Sequence, residues 1–294
     1  MNIIEISKKF STQEACIKYL EKKKWNGKPI CPYCKSENNY KCKDRLRHHC
    51  NGCRKSFSVT VGTIFHDTKV PLQKWFLLII LMMHAKKGLS ACQAARDLGM
   101  RRPTVWSMMH RIRKAMKDDG DLFAGIIEMD ETYVGGKPRK GNKKDDDDDT
   151  PSNVGRGTKK TPVVGMVERK GRVRAEATDK NKLKSADLKD IVERGIDLFK
   201  SLLITDEYKG YSNMKRIVCH KTINHQKQYV EGLIHTNTIE SFWAIVKRGL
   251  MGQFHWVSKK YLQQYLNEFC YRYNARKQDA DVVFDNILDG MLYV

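Results

Sequence analysis

Two cysteine pairs, Cys31-Pro-Tyr-Cys34 and Cys50-Asn-Gly-Cys53, stand with fifteen residues between them. So short a segment cannot build a hydrophobic core, and bound metal takes the core's place. The spacing predicts a tetrahedral thiolate cage in which Cys31, Cys34, Cys50 and Cys53 hold one structural zinc, with folding dependent on it. Cys42, His48 and His49 lie between the pairs but break their symmetry, so they are left out of the cage. Cys16, Cys92, Cys219 and Cys270 are isolated and read as small buried hydrophobes. The N-terminus lacks the basic start and apolar core of an export signal, which argues for thiols and metal rather than disulfides.

At 294 residues the chain has room for two or three domains. Lys and Arg number 55 against 34 Asp and Glu, a net charge of +21. The excess recurs in every segment, so it is not a single tail. The natural partner is a polyanion, double-stranded DNA above all, because neutralising phosphates releases condensed counterions. The longest apolar run, Trp75 to Met83, is nine residues; a bilayer span needs about 20. No membrane segment is expected, and the location expected is cytoplasmic and nucleoid-associated.

Three regions follow one another. Residues 1–64 join an N-terminal helix, capped by Ser11 or Thr12, to the zinc ribbon. Residues 65–118 read as a helix-turn-helix: Gly88-Leu-Ser90 gives a stop and a cap, Ala91 to Leu98 a short helix, Gly99 a turn, and Pro103 the first turn of another helix. In that last helix Val105, Met108, Met109, Ile112 and Met116 repeat at core spacing. Thr104, Ser107, Arg111 and Lys114 fall on a different face beside Arg101 and Arg102, the polar and basic surface that a major-groove helix presents. Residues 119–294 carry strands at Gly125 to Val134 and twice within Thr161 to Thr178, with a hairpin at Lys170-Gly171. A helix near Lys184 to Phe199 and a buried strand at Ser201 to Thr205 follow. This predicts an α/β domain with an RNase H-like mixed sheet and flanking helices. The stretch 135–160, dense in Lys, Gly and Asp, is expected to be a mobile surface insertion. Its run Asp145 to Asp149 lacks the spaced ligands of a calcium loop.

The chemistry sits in the third region. Asp130 and Asp206 close apolar strand runs, and Glu240 lies on a helical pattern from His235 to Leu250 whose stripe is Ile239, Phe242, Trp243, Val246 and Leu250. Asn237, Glu240, Ala244 and Lys247 share another face. Carboxylates from three elements could therefore converge on divalent metal and hold it for in-line attack on a phosphodiester. Glu131 and Glu207 compete with their neighbours; on an extended segment only one of each adjacent pair can face the metal.

These pieces resemble a bacterial insertion-sequence transposase of the DDE type, in the fifteen-ninety-five family, which joins an N-terminal zinc ribbon to an RNase H-like strand-transfer domain. The matching residues are Trp25 through Cys34, Cys50 to Cys53, Met129 to Lys137, Thr205 to Tyr211, and His235 to Trp243 with Lys247-Arg-Gly249. The resemblance implies Asp130 and Asp206 as the catalytic aspartates. It leaves the third ligand between Glu240 and Asn237, since the group carries either an acid or an asparagine there. Glu240 is preferred, because carboxylate is the better ligand for a hard cation and Lys247 follows at the spacing usual for DDE enzymes. The activity implied is binding of terminal inverted repeats, then cleavage and strand transfer with two Mg²⁺ or Mn²⁺ ions, in a homodimer or larger synaptic complex. The rivals are a DNA-binding regulator without catalysis and an RNase H-like nuclease that cuts without joining.

Overall fold

The computed structural model describes residues 1–44, 46–117, 120–135, 160–180, 183–223 and 234–293. The insertion expected at 135–160 lies outside the described residues except for its two ends. The chain divides into two compact units, Met1–Met116 with Ala275–Val294, and Lys117–Asn274. Residues 275–294, expected in the third region, thus group with the first unit, which also holds both the ribbon and the segment expected to form the helix-turn-helix.

The first unit opens with α1 (Ile3–Lys9), started by a reciprocal cap between Asn2 and Glu5. In α2 (Gln13–Trp25) the Thr12 hydroxyl accepts the Ala15 N–H at 3.1 Å, which decides the cap in favour of Thr12. Strands β1 (Asn39–Lys41), β2 (His48–Cys50) and β3 (Ser56–Phe57) form the antiparallel ribbon. Then come α3 (Leu72–His84), α4 (Ala91–Leu98) and α5 (Arg102–Ala115). Ser90 caps α4, and Gly99 ends it in the left-handed region at φ 57°, where a side chain would be strained.

The last helix of the chain, α9 (Ala280–Leu292), belongs here because it buries Phe284, Ile287, Leu288 and Met291. Phe284 meets Phe76 of α3 edge-on at 5.5 Å. At Gly290 an added Cβ would stand 2.6 Å from the Ala115 carbonyl, so only glycine allows that approach to α5.

The second unit is a five-stranded sheet in the order β6-β5-β4-β7-β8. Its strands are β4 (Phe123–Val134), β5 (Thr161–Glu168), β6 (Val173–Ala177), β7 (Ile196–Asp206) and β8 (Cys219–Ile223). β6, β5 and β4 run antiparallel to their neighbours, while β4, β7 and β8 are parallel, which is the RNase H-like arrangement. Helix α6 (Ser185–Gly195) covers one face. α7 (Asn237–Gly249) and α8 (Lys259–Asn274) cover the other.

Two elements differ from expectation. The helix expected near Lys184 to Phe199 stops at Gly195, and Ile196 to Lys200 extend as the start of β7. There Ile196 is buried and Leu198 packs against the same core, a period of two that short apolar runs share with helices. β8 was not foreseen, since Cys-His-Lys-Thr-Ile has exposed polar positions of an edge strand and little apolar signal.

Candidate functional site

The pleat of β4 sorts its acids onto two faces. Glu128, Asp130 and Thr132 stand opposite Val167, Gly165 and Val163 of β5. Val163 and Val167 share a core with Ile239, Phe242 and Trp243 of α7, so this face looks toward α7. Ile127 and Met129 join Leu188, Val192 and Tyr211 on the other face. Glu131 belongs there, buried, accepting a hydrogen bond from the Tyr211 hydroxyl at 2.7 Å. The competition between neighbours thus places Asp130 on the α7 side and Glu131 away from it.

β4 and β7 run in parallel with Glu128 opposite Ile204. Asp130 and Asp206 each follow two residues beyond that last pair, on the same face of their strands as Glu128 and Ile204. Asp206 accepts the Tyr208 N–H at 3.0 Å, and Glu207 is exposed beyond the strand. Glu240 comes in from the first turn of α7. Burial, then the charges of Glu131, Asp206 and Glu240, push the Asp130 carboxyl up to about 7. Three elements have therefore brought their acids within electrostatic reach of one another, an excess of negative charge suited to hard divalent cations. Asn237, Glu240 and Lys247 are exposed on α7.

Two further contacts seat α7. Gly165, the cross-strand partner of Asp130, leaves room for the Trp243 ring; an added Cβ would lie 2.4 Å from its Cζ2. Glu128, fully buried, accepts the Thr238 and Ile239 N–H groups at the start of the helix at 2.8 and 3.1 Å. The Arg169 side chain donates to the same carboxylate at 2.8 and 3.0 Å. Thr236, just before the helix, donates its hydroxyl to the Glu240 carboxylate at 2.9 Å. The sequence reading missed Glu128, Arg169 and Thr236. The available signal was an acid two residues before Asp130, hence on the same face of an otherwise apolar strand.

In the first unit the sulfurs of Cys31, Cys34, Cys50 and Cys53 all lie within 4.8 Å of one another. Cys31 and Cys53 are 3.6 Å apart, Cys34 and Cys50 3.5 Å. Tetrahedral zinc with bonds of about 2.3 Å separates its sulfurs by about 3.8 Å, so the donor set fits the ion. Both knuckles place a basic residue directly after the second cysteine in the left-handed region, Lys35 at φ 63° and Arg54 at φ 56°. A backbone hydrogen bond from the Cys53 N–H lowers the Cys50 thiol against the effect of burial, which favours the thiolate that metal needs.

His48 is buried but bonds Glu21 at 2.9 Å and stacks on Phe57, which accounts for it outside the cage. Cys16 and Cys270 are buried as expected, whereas Cys92 and Cys219 are exposed, lying on the polar faces of a short helix and an edge strand. Among the described residues the four cysteines are the one group of three or more potential ligands gathered so closely, so the three carboxylates do not form a second.

On α5, Arg101, Arg102, Ser107 and Lys114 are exposed and Thr104 is half-buried. Arg111 departs from the expectation of a free reading face. Its guanidinium lies over the Trp75 ring at 5.3 Å and donates to the His66 carbonyl at 3.2 Å, which ties it into its own unit. Trp106, 37% exposed between Arg102 and Ser107, is a large residue on this face that the periodicity did not single out.

The ISXO2-like transposase domain matches residues 123–274, more than half of the chain. The transposase zinc-ribbon domain matches residues 11–56. An uncharacterized protein in transposable element ISH50 of Halobacterium salinarum is 24% identical, over 97% of this chain and 99% of its own. Among solved structures, the Mos1 strand transfer complex matches at 9% identity over 67% of this chain and 75% of that one, with a TM-score of 0.24. The mariner Mos1 paired end complex with Mg matches at 9% over 71% and 80%, with a TM-score of 0.18. Superpositions this loose add nothing to the fold described above.

Proposed function

The chain belongs to the ISXO2-like transposases, and from that membership we propose that it cleaves and joins DNA at a divalent-metal site formed by Asp130, Asp206 and Glu240. One observation carries the assignment of the site: Asp130 and Asp206 lie on the neighbouring strands β4 and β7, and Glu240 on the first turn of α7, the helix packed on the Asp130 face, so that the charges of Asp206 and Glu240 add to burial in raising the Asp130 carboxyl. Such crowding is unfavourable in the protein alone and is relieved by cations.

The residues divide the work by position. Asp130 and Asp206, on adjacent strands, supply the paired carboxylates that would hold Mg²⁺ or Mn²⁺, and Glu240 completes the set from the opposite wall. Ions bound there supply Lewis-acid stabilisation of the attacking and leaving oxygens of the phosphodiester. Thr236 fixes one oxygen of Glu240 by its hydrogen bond. Lys247, two turns along the same helix and exposed, would contact a DNA phosphate. Asn237, in the first turn, is the alternative third ligand; Glu240 is favoured by its charge and by the Thr236 contact.

The four cysteines would hold a structural zinc with no open position for substrate. Arg101, Arg102, Thr104, Ser107 and Lys114 would meet double-stranded DNA at the terminal inverted repeats, with target DNA entering at the acidic site. Cutting two element ends together calls for a homodimer or larger synaptic complex.

The test is nicking and joining of labelled element ends in Mg²⁺ and Mn²⁺. Asp130→Asn, Asp206→Asn and Glu240→Gln should each abolish both reactions while DNA binding persists, because binding is supplied by the other unit. Wild-type nicking by both aspartate variants would end the assignment. Asn237→Ala inactive beside an active Glu240→Gln would move the third ligand to Asn237.

A further inference from the structure

We propose that Glu128 is a positioning residue for the acidic site: it caps α7 from a neighbouring strand and so leaves Thr236 to hold Glu240. The proposal rests on the reading of Asp130, Asp206 and Glu240 as metal ligands.

A helix ordinarily begins with a side chain at its N-cap accepting the N–H of the second or third helical residue. Thr236 occupies the N-cap of α7 and makes no such bond. The two amides that need an acceptor, those of Thr238 and Ile239, instead donate to one oxygen of Glu128 at 2.8 and 3.1 Å. The Thr238 hydroxyl donates to the other oxygen at 2.9 Å. A carboxylate suits this place because the start of a helix carries partial positive charge.

The carboxylate is fully buried and would be costly alone. Arg169 balances it through two nitrogens, at 2.8 and 3.0 Å, and also donates to the His235 carbonyl at 3.2 Å, holding the residue that leads into the helix. Both oxygens of Glu128 are therefore committed to fixing where α7 begins.

The consequence lies in the spacing along β4. Glu128 and Asp130 are two residues apart on one face, about 6.7 Å along the strand. The strand that presents Asp130 thus also grips the first turn of the helix that presents Glu240. Thr236, with no amide to cap, turns its hydroxyl to Glu240. A buried ion pair is weak evidence for stability but a good device for fixing one geometry. If Glu128 were only a staple of the fold, its loss would lower thermal stability and leave the metal affinity of the folded protein unchanged.

The experiment uses the full-length zinc-loaded chain and titrates Mn²⁺, reading the free ion by its electron paramagnetic resonance signal. Circular dichroism and binding of element ends are measured alongside. Glu128→Gln replaces one acceptor oxygen by a donor facing Arg169 and the helix amides. We expect a folded protein with wild-type DNA binding whose Mn²⁺ dissociation constant rises about 10–100-fold, the usual cost of losing a residue that orients a metal ligand. Thr236→Val, which removes only the hydroxyl, should raise it in the same direction by less. Wild-type Mn²⁺ affinity in folded Glu128→Gln overturns the proposal. Should that variant fail to fold, Glu128→Asp keeps the charge but falls one methylene short of the amides, and wild-type affinity there overturns it equally. Asp130→Asn separates the two levels: if it binds Mn²⁺ like the wild type, the metal-site reading itself fails. Loss of Mn²⁺ in Asp130→Asn with no change at Glu128 removes only the positioning role.

Discussion

Asp130 carries the most informative single property of the molecule. Its proton affinity is raised from the ordinary 3.8 to about 7, by burial first and then by Glu131, Asp206 and Glu240. The folded protein holds this proton more tightly than the unfolded chain, so the associated stability is complete below about pH 4 and is lost as pH rises to about 7. Thermal unfolding without divalent metal should therefore show stability of the catalytic unit falling across that window. Asp130→Asn should flatten the dependence, and an unchanged slope would contradict it. Added Mg²⁺ should raise the wild-type transition at pH 7.5 and leave that of Asp130→Asn in place. At this scale the place of Asp206 at the end of β7 and of Glu240 in the first turn of α7 was legible in the sequence, whereas Asp130, expected to close its strand, stands inside β4, which runs on to Val134. The choice between Asp130 and Glu131 needed the pleat, because both are acids on one strand and only their faces differ. Glu128 was illegible, since nothing local says that a buried acid will serve a helix more than a hundred residues away. The contacts of Arg111 were illegible for a related reason: its partners Trp75 and His66 come from other segments.

Among the elements, α7 carries Glu240 of the proposed site, and its close approach to β5 is made at Gly165. A methyl group there would stand 2.4 Å from the Trp243 ring and 3.0 Å from Ile239 Cδ1, so the helix must lift. Gly165→Ala should cost about 1–3 kcal/mol by overpacking and should reduce Mn²⁺-dependent nicking more than it reduces binding of element ends. Equal loss of both would show that α7 is not set by this contact. On α5, Arg102→Ala should weaken specific binding to the element ends without lowering the melting temperature. Arg111→Ala should do the reverse, losing its stacking on Trp75, as thermal unfolding and a binding isotherm together would show. Helices with a clear apolar period, α4, α5 and α7, could be read from the sequence nearly to their ends, although of the three only α4 carries a side-chain cap. The first half of β7 and all of β8 could not, because a short mixed run takes its conformation from neighbouring strands rather than from its own pattern.

At the scale of the whole chain, this DNA transposase builds its ribbon and helix-turn-helix in one unit and its acidic site in another, with α9 returning to the first. That return was invisible in the sequence, since α9 is an ordinary amphipathic helix whose burial partners are fixed only by the fold. The division predicts separable losses. Chelating the zinc, or Cys31→Ser with Cys53→Ser, should unfold the ribbon and abolish binding of element ends, while β4 to α8 keep their own transition in calorimetry. A single transition lost throughout would contradict it. With +21 net charge, binding should weaken with salt along a log–log slope of about −0.9 per phosphate neutralised. The proposed union of carboxylates from β4, β7 and α7 in one divalent-metal site is tested most directly by anomalous scattering from crystals of the zinc-loaded protein soaked in Mn²⁺. Manganese density should lie between Asp130 and Asp206 with Glu240 in contact. Density bound elsewhere, or none at those aspartates at saturating Mn²⁺, would contradict it.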